Sequence, residues 1–418
     1  MSEQEHSAPT VAYYGDDFTG SVDVLLQFAR HGWSGRLFVG LPRADDLRAA
    51  ATTHDVVGIA GIARSLPTAQ IEAEVRPALE ALTALGPRVV QYKACSTADS
   101  SPAIGSIGRV IEVGRDVVGE RTVPMLFAQP DFGRYTVFGH HFAAENGVVH
   151  RLDRQPTMSA HPSTPMGESD LARHFSAQTA LPIGGVHRTA YGTGDLAERI
   201  AASADTAVVL DALDNADVTT IGQAVLELPH PAFVIGSGGL SWGIGAADPR
   251  AGDGIPTATP TRGPVLAISG SRSAQTRRQV EHAAASGWLI APLDFADPEG
   301  QIRHVREALS TGRSVVLTSD DAPVADDTLE RIATTGAAVV LAAVDLARRV
   351  IVAGGDTSGR VTRLLGVDAL EIAANPSGNI VLLRAVSTTP GIDGLELLLK
   401  GGQVGADDLL ESIRTLGG

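Results

Sequence analysis

The sequence predicts an α/β protein of two domains, each built on a mainly parallel sheet. Three observations predict it. Short apolar runs of β character alternate with helical patterns along most of the chain, as in βαβ units. At 418 residues the chain is longer than most single hydrophobic cores support. Aromatic residues are scarce at 4%, while Ala, Val, Leu and Gly are abundant, which suits α/β layers better than a sandwich.

Residues 11–15 read as the first strand, running into Asp16-Asp17-Phe18-Thr19-Gly20. Val22, Leu25, Leu26 and Ala29 then recur at helical spacing and give one apolar face. Strands follow at 36–40, 56–60, 89–93 and 123–128, with an amphipathic helix over 68–85 opened by Pro67. The alternation then breaks. Two strands, 135–142 and 148–152, flank Asn146-Gly147, a strong hairpin cue. Residues 155–167, with Pro156, Pro162 and Pro165, read as a loop over the first sheet or its cleft. Alternation resumes with a strand at 185–189, a helix at 195–203, a strand at 207–210, a helix at 221–226 and a strand at 232–236.

Residues 246–263 read as a linker, because Pro, Gly, Thr and Asp replace the periodic apolar residues there. The expected domains are therefore 1–245 and 264–418. In the second, a strand at 264–268 leads through Ser269-Gly270-Ser271-Arg272-Ser273 into a helix ending near 286. A strand at 288–292, a helix at 301–309, a strand at 315–318 and a helical region at 329–347 follow. The strand 350–353 enters Gly354-Gly355-Asp356-Thr357-Ser358-Gly359, with a helical pattern from Arg360. A strand at 395–400, Gly401-Gly402 and a helix at 407–416 close the chain.

A formal charge of −15 argues against a nucleic-acid partner, since phosphate-backbone binding needs a basic face. The one cysteine, Cys95, rules out an intrachain disulfide and a Cys-rich zinc site. The longest apolar run, 337–344, is too short to span a bilayer, and the polar start carries no apolar leader. A soluble, cytoplasmic protein with a small-molecule ligand and no membrane partner is expected; homo-oligomerisation stays open.

The turn at Gly354 is built to hold an anion, because glycines let backbone amides approach closely and the helix start favours negative charge. Nucleotide phosphates are the expected ligand, with an ordinary glycine turn as the alternative. Ser269-Gly270-Ser271 and Lys400-Gly401-Gly402 are two further such turns after apolar strands. Neither the P-loop motif nor the dinucleotide fingerprint is present, so P-loop enzymes and standard dehydrogenases lose ground. Asp16 and Asp17 sit where the first strand ends, the rim on which open α/β sheets bind ligands. They suit acceptance of substrate hydroxyls, and one suits the role of base; a helix cap by Asp17 or Thr19 is the alternative.

Lys93-Ala94-Cys95-Ser96-Thr97-Ala98-Asp99-Ser100-Ser101 suits a polyhydroxylated carboxylic acid, with a Ser/Thr-rich surface loop as the alternative. Lys93 would face the carboxylate. His140 and His141 are adjacent on a strand and point to opposite faces, so they do not share one metal. A hydrogen bond from one of them to substrate is the better expectation. Cys95 reads as a small filler.

Together these motifs resemble the four-carbon acid sugar kinase family over nearly the whole chain. The carriers are Asp16-Asp17-x-Thr19-Gly20, Lys93-x-Cys95-Ser96-Thr97-x-Asp99-Ser100, Ser269-Gly270-Ser271-x-Ser273 and Gly354 to Gly359. The resemblance implies a sugar-acid-binding N-terminal domain, an ATP-binding C-terminal domain and an active site in the cleft between them. Carried over by position, Asp16, Asp17, Thr19, Lys93, Ser96 and Thr97 face the substrate, with Asp17 the expected base. Ser269, Ser271, Gly354, Gly355, Asp356, Thr357, Ser358, Gly359 and Gly402 face ATP. Asp356 stands where relatives usually carry Glu, and Lys400-Gly401-Gly402-Gln403-Val404-Gly405 departs from their usual Lys-Ser-Gly-Asn-Phe-Gly. The segment from His161 to Met166 resembles the branch acting on 3-oxo acids, which adds His161 to the substrate residues. The implied activity is phosphorylation of the terminal hydroxyl of a four-carbon or 3-oxo sugar acid, using ATP and Mg2+; no metal ligand is assigned. A threonate or erythronate kinase and a non-catalytic sugar-acid or nucleotide sensor are the rival readings.

Overall fold

The computed structural model describes residues 8–252, 254–258, 263–320 and 327–416. Two units divide the chain, Met1–Gly254 and Ile255–Gly418. The predicted linker therefore falls partly outside the described residues, at 253 and 259–262.

In the first unit the strands are β1 (Val11–Gly15), β2 (Gly35–Phe38), β3 (Val56–Ala60), β4 (Val89–Lys93), β5 (Val123–Leu126), β6 (Arg134–Val137), β7 (His140–Glu145), β8 (Val148–Arg151), β9 (Ile183–Val186), β10 (Ala207–Leu210) and β11 (Ala232–Gly236). Eight of them line up as β2-β3-β1-β4-β11-β5-β10-β9, and every pairing is parallel. Helices cover both faces, so β1, β3, β4 and β11 are buried throughout and read as continuous apolar runs. Helix Thr68–Thr83 packs on Ile107–Val118 in one group. Gly238–Ala247 packs on both Phe18–Ala29 and Asn215–Glu227 in the other.

Three predictions are corrected here. The single strand 135–142 is two strands, β6 and β7, because Phe138 and Gly139 both take positive φ (48° and 78°). That conformation is a two-residue hairpin turn, and Asp211 holds it by accepting the amides of Phe138 and Gly139 at 2.8 and 2.9 Å. With β8, joined through Asn146-Gly147 as predicted, the result is a separate antiparallel sheet, β6-β7-β8. Second, the helix Ile107–Val118 was not predicted. Third, Gly238–Ala247 is a helix that runs into the predicted linker. Glycine disfavours helix locally, but a Cβ on Gly243 would stand 2.3 Å from the Val218 carbonyl of the neighbouring helix. Close helix packing overrides the propensity. Beyond it, Trp33 Nε1 donates to the Asp248 carbonyl at 2.8 Å and Arg250 lies over the Trp33 ring, so this stretch packs on the first unit.

The second unit holds β12 (Val265–Ser269), β13 (Leu289–Pro292), β14 (Val315–Thr318), β15 (Arg349–Ala353), β16 (Ala369–Ser377), β17 (Ile380–Val386) and β18 (Glu396–Lys400). Their order is β13-β14-β12-β15-β18-β17-β16, parallel from β13 to β18 and antiparallel beyond. The β16–β17 hairpin was not predicted. Val265, Ile351, Leu382, Leu398, Leu410 and Ile413 belong to its core. Arg349 is buried there, donating to Glu396 Oε2 at 2.7 Å and to the carbonyls of Ile413 and Leu416.

Register positions both candidate sites. Gly15 lies opposite Ala60 and Lys93, so the residues following these strands share one rim of the first sheet. Ala353 lies opposite Ser269 and Lys400, which does the same for the second. In each sheet the strand order reverses beside these strands, between β1 and β4 in the first and between β12 and β15 in the second, and such switch points open a crevice at the carboxyl ends.

Candidate functional site

Asp17 caps the helix Phe18–Ala29, its Oδ1 accepting the Gly20 amide at 2.9 Å. The cap does not exhaust the side chain. Oδ1 also accepts from Arg64 Nη2 at 2.9 Å, while Oδ2 has no protein partner among the described residues. Asp16 is buried and takes two bonds from the same guanidinium, from Nη2 at 2.7 Å and Nε at 3.3 Å. Burial pushes the Asp16 carboxyl up to about 6, against the pull of the Arg64 charge. Asp16 therefore fixes Arg64 instead of lying open to a ligand. Arg64 follows β3 in a short turn, Ala63–Ser65, and was missed in the sequence because no local pattern ties it to the paired aspartates.

Lys93 is buried at the end of β4, with Nζ donating to the Ala94 carbonyl at 3.0 Å. A Cβ on Gly20 would stand 3.1 Å from that nitrogen, so the lysine and the helix start are immediate neighbours. Thr19 is exposed on the first turn of the helix. The carboxylates, the guanidinium and the ammonium thus form one charged cluster.

The loop after Lys93 is tied down from several sides. His141 is fully buried; its Nε2–H donates to the Ser96 carbonyl at 2.7 Å, and Nδ1 accepts from Thr136 Oγ1 at 2.9 Å. Burial lowers its pKa to about 4, so it stays neutral. The expected bond from a histidine of the His140-His141 pair to substrate is not what this geometry provides: His141 serves the loop, and His140 reaches Ser169 Oγ at 3.0 Å. Thr164 Oγ1 donates to Asp99 and sits 2.8 Å from His161 Nδ1, while the Thr164 amide donates to that nitrogen at 3.1 Å. The amide makes Nδ1 an acceptor, so neutral His161 carries its proton on Nε2 and keeps one donor. Ser96 is half-buried, and Thr97 is buried with Oγ1 3.0 Å from Cys95 Sγ.

On the second rim, the expected turn at Gly354 is shorter than predicted, because Gly355–Leu364 is already helix. Gly354 has φ 116°, a region that favours glycine, and it caps the helix without any side-chain bond to the first amides. Gly355 and Asp356 are exposed at that start, whereas Thr357, Ser358 and Gly359 are buried. Ser358 Oγ donates back to the Val352 carbonyl at 3.1 Å, and a Cβ on Gly270 would stand 2.2 Å from Thr357 Oγ1. Gly402 approaches Ser271 as closely: a Cβ there would lie 2.5 Å from Ser271 Oγ. Ser269 Oγ donates to the Ser271 carbonyl at 3.4 Å. The three turns are therefore in mutual contact around an uncapped helix start, a natural place for an anion.

Residues 11–244 match the family described as a sugar-binding N-terminal domain, and residues 266–410 match its nucleotide-binding C-terminal domain. The chain belongs to the four-carbon acid sugar kinase family. Within that family, it is 37% identical to the 3-oxo-isoapionate kinase of Paraburkholderia graminis over 94% of this chain and 92% of the relative. It is 30% identical to the 3-oxo-tetronate kinase of Pseudomonas savastanoi pv. phaseolicola, covering 99% of both chains. The D-threonate kinase of Bordetella bronchiseptica is 28% identical over 96% of both. A solved structure of a Haemophilus influenzae protein of the DUF1537 family has the same fold, with a TM-score of 0.77 at 24% identity over 97% of this chain and all (100%) of that one.

Proposed function

We propose that the protein is an ATP-dependent kinase that phosphorylates the terminal hydroxyl of a 3-oxo sugar acid, of four carbons or branched with five. The observation that carries the reading is the cluster of Asp16, Asp17, Arg64 and Lys93 on one rim, matched by an uncapped glycine-rich helix start on the other. The likeness to 3-oxo-isoapionate and 3-oxo-tetronate kinases supports the choice of substrate class.

In this reading residues 1–245 hold the acceptor and residues 264–418 the donor. Lys93 and Arg64 offer positive charge to the substrate carboxylate, and Ser96, Thr97 and Thr19 order its hydroxyls. The Nε2–H of His161 faces the keto oxygen, an acceptor that a donor suits. Asp17 receives the proton of the attacking hydroxyl on Oδ2, the oxygen that bonds no protein group among the described residues. The amides at Gly354–Asp356, with Ser269, Ser271 and Gly402 beside them, hold the phosphates. Mg2+ bound with the nucleotide neutralises phosphate charge and leaves positioning to the protein. One cysteine and a sugar-acid substrate suit a cytoplasmic enzyme.

The test is ADP release from Mg·ATP with a panel of tetronates, 3-oxo-tetronates and 3-oxo-isoapionate. Turnover is expected with a 3-oxo acid and should drop by about 100-fold or more in Asp17→Asn, with ATP affinity nearly intact. Binding of sugar acid without ADP release would instead make the protein a sensor. Near-normal turnover in Asp17→Asn would remove Asp17 from the mechanism.

A further inference from the structure

Lys400 ends β18, and its side chain turns into the protein, leaving the residue 2% exposed. Among the described residues its ammonium makes one hydrogen bond, donating to Thr276 Oγ1 at 3.1 Å, and no carboxylate stands beside it. The other buried cations differ: Arg349 has Glu396, and Lys93 has Asp16 within electrostatic reach. A buried cation whose partner is a neutral hydroxyl is costly in the free protein. Burial lowers its pKa to about 8.

Its surroundings are those of the nucleotide turns. Thr276 Oγ1 donates to the Gly402 carbonyl at 2.8 Å and lies 3.1 Å from Ser271 Oγ. The Gly354 amide donates to the Lys400 carbonyl at 2.9 Å, and register sets Lys400 opposite Ala353. The ammonium therefore stands one hydroxyl behind the turns at Ser271 and Gly402, while the Lys400 backbone holds the turn at Gly354.

We propose that Lys400 is the buried counter-charge of the nucleotide phosphates, a positioning residue that acts through the Thr276 and Ser271 hydroxyls and is compensated only when nucleotide binds. This rests on the nucleotide reading of the same rim. It supplies the cation that a P-loop lysine provides elsewhere, in a chain without that motif. An anion beside the ammonium favours its charged form, so binding draws a proton onto Lys400 at pH values above about 8.

The experiment is calorimetric titration of the full chain with Mg·ATP, without sugar acid, in two buffers of different ionisation enthalpy. Wild type, Lys400→Met and Lys400→Gln are compared at about pH 9 and about pH 6.5. Wild type is expected to take up most of one proton at the higher pH, and both variants to lose that uptake and bind about 10- to 100-fold more weakly at neutral pH. Without nucleotide, Lys400→Met should melt no lower than wild type, since an uncompensated buried charge has been removed. Variants that bind as tightly as wild type with the same proton uptake overturn the role of Lys400 alone. A wild type that binds no ATP overturns the nucleotide reading itself.

Discussion

His141 shows how one buried side chain couples acidity to the loop after Lys93. Its folded pKa of about 4 lies below the ordinary histidine value of 6.5, so its contribution is full above pH 6.5 and is lost as pH falls through 4. The shift corresponds to at most about 3 kcal/mol. Asp16 runs the other way, because burial raises it to about 6, and its contribution is present at low pH and lost as pH rises through 6. The two overlap, so wild type alone does not separate them. Urea unfolding of wild type and His141→Gln across pH 4 to 7 does: the variant should lose less stability on acidification. Identical pH slopes in the two proteins would end this account of His141. At the same scale, Arg64 illustrates division of labour among adjacent carboxylates, with Asp16 orienting the guanidinium and Asp17 leaving Oδ2 without a bond among the described residues, the oxygen proposed to meet substrate.

At the level of elements, the helix starts on the two rims differ in one respect. The helices at Phe18 and Ala274 are capped by the side chains of Asp17 and Ser273, whereas the helix at Gly355 has none. An uncapped start leaves amides for a ligand. Gly354→Ala puts a Cβ on a residue with φ 116°, with strain of about 1–3 kcal/mol. It should weaken ATP binding while leaving sugar-acid binding unchanged. Paired binding isotherms check this, and equal loss for both ligands would show that the substitution damages the fold generally.

For the whole molecule, two units with separate cores and separate polar rims imply separable ligand footprints. Hydrogen exchange should show ATP protecting peptides around Ser269, Gly354 and Gly402. Sugar acid should protect those around Asp17, Arg64, Ser96 and His161. Protection by ATP confined to the first unit would reverse the assignment. No described helix is long and apolar enough to cross a membrane.

Much of this was legible because it is local. Strand and helix periods located β1, β3, β4, β10, β11 and β14 to the residue, and glycine with hydroxyl residues after strands marked both rims. A strand's apolar pattern and a turn's chemistry depend on a handful of consecutive residues. Partnership does not. That Arg64 grips Asp16 across 48 positions, that His141 holds the Ser96 carbonyl, and that the buried Lys400 meets the Thr276 hydroxyl follow from which segments pack together. The same holds for the glycine-rich helix Gly238–Ala247, disfavoured by propensity and permitted by a helix packed tightly against it. The sequence by itself determined the α/β class, the parallel strands and the rims; tertiary structure alone decided which charges meet there, because long-range packing sets those distances.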